Sequence, residues 1–399
     1  MAEDCLRLSV DVSAVPARAA GAGHYTIELV RALSARSDVD LVAVSRRDDA
    51  ARWSEITGAG RVAAVAPAPR PLRLGWEQLR LSSLVGGLHR QVHHGPHYTM
   101  PERARLPVVV TVHDLSFFTE PGWHERSKVV LFRRAIRVAA RRAAAVVCPS
   151  HVTAAELARW CPPVAPVFVA HHGVDAARFA PSPPPGEEDG PRLRNADPRL
   201  VAGRPLVVFV GTLEPRKDVP TLVRAFAQLR SRHPDAVLVL AGGRGWGADA
   251  VDRAVADTGS DDRVVRLGYV EDVLVPALLR AATVAAYPAR YEGFGLPALE
   301  ALACGAPVVT TEGTAMAEVT GDAATLVPAG DGAALADALD AELSGPPAAG
   351  ATARRRRGLE IAAGYTWAAS AARHLEAYRH AAATGRPGAP GRSADHPVG

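Results

Sequence analysis

Between residues 286 and 311 the chain reads AYPARYEGFGLPALEALACGAPVVTT, an order that few folds accommodate. A strand-like run over residues 281–287 enters the loop Glu292-Gly293-Phe294-Gly295. Pro297 then opens a short apolar helix, because it lacks an N–H and its φ is preset, and Gly305 with Pro307 closes it. Leu296, just before Pro297, has no capping oxygen, so the first-turn amides are left for a ligand anion or a sugar oxygen. Glu292 in the loop and Glu300 one turn into the helix direct two carboxylates at the space before the helix end. Packing alone gives no reason to place a carboxylate on each side of a Gly-x-Gly turn.

A chain of 399 residues exceeds the size at which one core keeps growing, so two domains are expected. No apolar run reaches the roughly 18 residues of a membrane span, and MAEDCLRLSV has acids where a signal peptide has bases, which predicts a cytosolic protein. Cys5, Cys148, Cys161 and Cys304 form no C-x-x-C pair and read as buried thiols. Residues 1–180 hold 23 Lys+Arg against 16 Asp+Glu, and the remainder 23 against 26, so the first half is the basic one. Such a half suits an anionic acceptor, a lipid surface or a nucleic acid.

Taken in order, residues 6–12 form an apolar strand, and Gly21-Ala22-Gly23 precedes a helical run over 26–34, a turn that allows close backbone approach to a ligand. Strands follow at 41–45 and 62–65. The run His93-His94-Gly95-Pro96-His97-Tyr98 is read as a loop lining a cleft rather than a metal site, since adjacent histidines point apart and no carboxylate stands nearby. Residues 108–112 read as a strand buried on both faces, with His113 and Asp114 at its carboxyl end, where open α/β sheets place ligands. In a helix over 128–142, Arg133, Arg137 and Arg141 recur at four-residue spacing. This is either a solvated face or a peripheral contact with anionic membrane or a lipid-diphosphate.

Residues 181–204, rich in Pro, Gly and acids, read as a linker with a disordered portion. A strand at 206–210 then leads to Gly211 and to Arg216-Lys217-Asp218. Asp218 is placed as the N-cap of the next helix, and the two cations beside that helix end suit a diphosphate. Strand and helix alternate onward through 236–242, 264–268, 272–281 and 308–310, the doubly wound pattern. Helices at 333–343 and 367–382 follow, and the Gly- and Pro-rich tail over 384–399 should be mobile. The one D-x-D, Asp38 to Asp40, lies in a turn before a strand and gives no reason for a metal.

The gap-free set Glu292, Gly293, Phe294, Gly295, Leu296, Pro297, Glu300, Ala301, Gly305, Pro307 resembles the signature of the retaining glycosyltransferases of family four. Thr111-x-His113-Asp114, the His171-x-Gly173-Val174-Asp175 element, the Gly211-Thr212 to Lys217 pattern and Glu318-Val319-x-Gly321-Asp322 resemble further parts of that family. Ala317 replaces the usual proline before Glu318, and Met316 is bulky for a loop that contacts sugar.

The resemblance implies an α/β protein of GT-B architecture, two Rossmann-like doubly wound domains facing across a cleft. Residues 1–180 would form the acceptor-side domain, 205–366 the nucleotide-sugar domain, and the last helix would cross back to the first. By the same resemblance, Gly21 and Gly23 would lie against the donor diphosphate and His113 would touch the transferred sugar. Arg216 and Lys217 would stabilise the leaving diphosphate beside Gly211, without a metal or other cofactor. Glu292 and the amides of Gly293, Phe294, Gly295 and Leu296 would hold sugar hydroxyls, and Glu300 the ribose. The partners implied are a nucleotide-sugar donor and a glycan or lipid-linked acceptor, with no nucleic acid; the expected location is the bacterial cytoplasm, and the membrane alternative for the arginine stripe would add peripheral contact with the inner face of the plasma membrane. The wording around Arg216 and His113 looks most like mannosyl- and rhamnosyltransferases of cell-surface polysaccharide synthesis, which favours GDP-mannose. A nucleotide-sugar epimerase on the same fold and a non-catalytic nucleotide-sugar binder are the competing readings.

Overall fold

A computed structural model describes residues 5–19, 21–345 and 348–385, with the side chains of 348, 349 and 351 also outside it. All but two residues of the expected mobile tail lie outside the described residues.

The β-branched runs form two wholly parallel sheets. The first contains β1 (Leu6–Asp11), β2 (Val39–Arg46), β3 (Val62–Ala66), β4 (Val92–Gly95), β5 (Val108–Thr111), β6 (Ala145–Cys148) and β7 (Val167–Val169), in the order β3-β2-β1-β4-β5-β6-β7. The second contains β8 (Leu206–Val210), β9 (Val237–Ala241), β10 (Val264–Gly268), β11 (Val284–Tyr287), β12 (Val308–Thr311) and β13 (Ala324–Val327), in the order β10-β9-β8-β11-β12-β13. Strand order therefore reverses between β1 and β4 in one domain and between β8 and β11 in the other. In open sheets of this kind, the crevice for a ligand opens beyond the strand ends at the reversal. Most central strands are buried along their whole length, as helices on both faces require.

Three expectations are corrected. The stretch expected to be a linker is built into the second domain: residues Asp189–Ala196 are helical, Leu193 and Leu200 join that core, and Asp189 takes two hydrogen bonds from Arg280 at 2.6 and 2.7 Å. The His93-His94 pair is strand rather than loop. His93 Nδ1 meets Ser9 Oγ at 2.9 Å, and His94 bridges Thr111 and Tyr378, so both are core residues that burial keeps neutral. Cys5 is exposed, while the other three thiols are buried.

The helix Trp367–Thr384 packs on the first sheet, placing Ala371, Leu375, Tyr378 and Ala381 in that core. Tyr25 Oη, 2.8 Å from both His374 Nε2 and Thr111 Oγ1, ties it to the strands behind His113. A helix over Ala348–Gly364, absent from the sequence reading, precedes it and packs on the glutamate-bearing helix, where Gly358 meets Leu302.

Candidate functional site

The cleft is built at the two strand-order reversals. From β8 the chain passes through Gly211 into a one-turn 3-10 helix, Pro215–Lys217, and then bends at Asp218, whose φ of 49° is left-handed. That bend turns Arg216 and Lys217 back toward β11. It also removes Asp218 from its expected N-cap role: its carboxylate instead accepts from Thr221 Oγ1 at 2.9 Å and Arg290 Nε at 2.8 Å, and no side chain caps the helix Val219–Ala227. A Cβ on Gly242, at the end of β9, would lie 2.1 Å from the Gly211 carbonyl oxygen, so two strand ends meet there without side chains.

Glu292 sits opposite the cations. Its Oε2 accepts from Arg216 Nη1 at 2.6 Å and Lys217 Nζ at 2.5 Å, and Arg216 Nε also donates to Glu214 at 2.8 Å. Burial pushes the Glu292 carboxyl up, but the guanidinium and ammonium beside it outweigh that and hold it below its ordinary value. Lys217 is only 5% exposed, a burial tolerable for a charge only when it is paired. The cleft thus contains two cations balanced by two carboxylates, Glu292 shared between them and Glu214 on Arg216 alone. A diphosphate brings the same charge as Glu292 in greater amount.

After Glu292 the loop is pressed between the domains. A Cβ on Gly293 would stand 1.9 Å from the His113 carbonyl oxygen, and the Gly293 carbonyl accepts from Ser150 Oγ at 2.8 Å and Thr153 Oγ1 at 2.9 Å. Gly295 is left-handed, with φ 113°, and a Cβ there would meet Met316 Cγ at 2.6 Å. The residues around Met316 are therefore not the expected loop. Thr314 caps a helix over Ala315–Thr320, and Met316 is buried beneath Gly295 of the loop. Phe294 points into the second core and packs on the His172 ring, 4.7 Å between centroids, leaving the loop backbone to face the cleft.

The helix Leu296–Ala303 starts without a side-chain cap, so its first amides open on the cleft. Glu300 lines the same space. Burial pushes its carboxyl up to about 7, with nearby Arg178 pulling it down less strongly. Across the cleft, His113 is nearly buried and its Nε2 lies 2.7 Å from the Pro96 carbonyl, which assigns the proton to Nε2 and leaves Nδ1 as an acceptor. Burial lowers its pKa, so it is a neutral imidazole near pH 7.

These residues enclose about 450 Å³, a volume suited to a small-molecule ligand. Gly21, Gly211, His113, Arg216, Lys217, Glu292 and Glu300 all line it, together with Gly293, Phe294, Gly295 and Leu296. Gly23 does not: it lies in the first turn of Ala22–Ser34 and packs on Ala19 and Pro16. Sequence reasoning missed Arg178, Gly242, Gly243, Tyr269 and Asp272. The Gly-Gly pair closing β9 was the available signal for two of them. Asp38 and Asp40 of the D-x-D are paired with Arg36, Arg379 and Arg90, far in sequence and in role from the cleft.

Comparison with known proteins agrees with this geometry. Residues 19–178 match the family model described as "Glycosyltransferase Family 4", and residues 204–344 match that described as "Glycosyl transferases group 1". The chain belongs to the family 4 glycosyltransferases. It is 29% identical over 344 residues to the O-antigen chain mannosyltransferase B of Escherichia coli, covering 81% of this chain and 86% of that one. It is 32% identical over 241 residues to a GDP-mannose-dependent alpha-(1-6)-phosphatidylinositol monomannoside mannosyltransferase of Mycolicibacterium smegmatis, covering 58% of this chain and 60% of the relative. Among solved structures, the Anabaena protein Alr3699/HepE in complex with UDP and glucose superimposes with a TM-score of 0.71 at 19% identity, covering 93% of this chain and 98% of that one. The glycosyltransferase has the two-domain GT-B fold expected from its sequence.

Proposed function

We propose that this glycosyltransferase moves a hexose, with retention of anomeric configuration, from a nucleotide diphosphate sugar to a hydroxyl of a glycan or lipid-linked acceptor, and that the donor is GDP-mannose. The observation that carries the proposal is the pair of cations at the strand-order reversal: Arg216 and Lys217 share the Glu292 carboxylate there, and a diphosphate would replace that carboxylate.

In this reading the diphosphate takes the two cations and Glu292 turns to the sugar hydroxyls. Glu300 accepts the ribose hydroxyls, and the Gly293 to Leu296 amides complete the sugar site. The bond from the anomeric carbon to the phosphate oxygen breaks, with its electrons going to the diphosphate. The acceptor oxygen attacks from the same face, and its proton passes to a phosphate oxygen. None of the cleft carboxylates is assigned the nucleophile's part that paired-acid glycosidases use, since Glu292 and Glu300 serve the sugar and ribose, Glu214 is held by Arg216, and Asp114 accepts from Ser116. Two fixed cations supply the charge stabilisation that a divalent ion supplies elsewhere. The two mannosyltransferase relatives support the sugar, and the GDP-mannose-dependent one supports the base.

A thermal-shift panel with GDP, UDP, ADP and dTDP in EDTA tests the donor class. A ligand at about 100 times its Kd adds roughly 2.7 kcal/mol. A shift with GDP alone is expected; a shift with UDP alone would replace the donor, and none with any nucleotide would favour a non-catalytic protein.

A further inference from the structure

Beside the Gly293–Gly295 loop but outside the cleft lining, three side chains from both domains converge. His151 opens the helix His151–Trp160, His171 follows β7, and Glu318 comes from the helix Ala315–Thr320 of the second domain. Glu318 Oε1 accepts from the His151 backbone N–H at 2.9 Å and lies 2.9 Å from His171 Nε2, while Oε2 accepts from the Val152 N–H at 3.0 Å. The two imidazole rings stand edge to face, 5.7 Å between centroids. One ligand atom from each residue falls within 4.8 Å of the other two, and this is the one such trio of His, Cys, Asp and Glu among the described residues.

We infer that His151, His171 and Glu318 form an interdomain site for one divalent transition-metal ion of zinc type, whose binding ties the second domain to the first. Two imidazoles, one carboxylate and an open side for water are the ligand number and type that zinc accepts. Tetrahedral zinc needs its ligand atoms roughly 3.3 Å apart, from bond lengths of about 2.0–2.2 Å. His151 is exposed and its ring can turn to close the gap. The metal displaces the hydrogen between His171 Nε2 and Glu318. The imidazole then carries its proton on Nδ1, and the carboxylate keeps its bonds to the two backbone amides.

The site lies outside the donor cleft and does not depend on which sugar is transferred. His151 contributes its backbone N–H to the existing contact, and that survives truncation of its side chain. Cys5, an exposed thiol, is the competing zinc ligand and is removed first. The full-length Cys5→Ser protein, titrated calorimetrically with zinc chloride in a non-chelating buffer, should bind one equivalent. Its melting temperature should rise by several degrees, reversibly with EDTA. Adding His151→Ala should weaken binding at least 30-fold and abolish the rise, while leaving the metal-free melting temperature unchanged. Cobalt at the same site should give the intense visible bands of four-coordinate geometry. Equal zinc affinity with and without His151 would overturn the site, and one-equivalent binding without any change in melting would overturn the tie between domains.

Discussion

Removing the carboxylate of Glu292 leaves Lys217 without its carboxylate partner and Arg216 with Glu214 alone, in a largely buried site. The side chains of Glu292, Lys217 and Arg216 are 13%, 7% and 20% exposed, so water screens the lost attraction only in part. Breaking a buried pair by deleting one partner costs about 3–5 kcal/mol. A domain of 150–250 residues loses about 2–4 °C per kcal/mol, so Glu292→Ala should lower the second domain's melting temperature by about 10 °C. The diagnostic part is the response to nucleotide. In the variant Lys217 and Arg216 receive the diphosphate without giving up Glu292, so saturating GDP should raise melting by more than it does in the native protein, while transfer is lost. Differential scanning calorimetry of both proteins, with and without GDP, measures this directly. Equal melting temperatures, or a smaller GDP increment in the variant, would refute the exchange of carboxylate for diphosphate.

Three further outcomes follow. Because burial raises the Glu300 carboxyl from 4.5 to about 7, the folded protein retains a proton there that the unfolded chain releases. The resulting stability is present below pH 4.5 and is lost as pH rises through 7, so Glu300→Gln should flatten that part of the stability profile in pH-dependent denaturant titrations and weaken nucleotide binding at pH 8. Gly293→Ala should abolish donor consumption while each domain's core still unfolds cooperatively, since its Cβ would collide with the His113 carbonyl at 1.9 Å; normal turnover would show that the domains need not meet there. Charge reversal at Arg137 and Arg141, which are exposed, should reduce co-sedimentation with anionic liposomes. Arg133 is the weaker test, because its Nε donates to the Phe117 carbonyl at 2.7 Å and holds the helix in place. Unchanged liposome binding would remove the membrane reading.

Strand and helix alternation, and the glycine loop with its two glutamates, were legible because each depends on local rules: β-branched runs, a Pro at a helix start, glycines where backbones approach. The pairing of Glu292 with Arg216 was not, because it joins residues 76 apart whose meeting depends on strand order. Asp218 has the composition of a cap, yet the tertiary demand to turn Arg216 and Lys217 inward put it in the left-handed region. The linker misled for the opposite reason: its Pro-, Gly- and acid-rich composition hid Leu193 and Leu200, two apolar residues sufficient to anchor it. His93 and His94 read as loop, whereas their hydrogen bonds to Ser9, Thr111 and Tyr378, partners distant in sequence, hold them inside the sheet.

The most direct test is calorimetric titration of GDP-mannose, in EDTA, into the native protein and the Arg216→Ala/Lys217→Ala variant. The account predicts one-site binding to the native protein without metal, weakened at least 100-fold in the variant, with GDP weakened in parallel. Undiminished binding to the variant, or binding by the native protein only after a divalent ion is added, would contradict it.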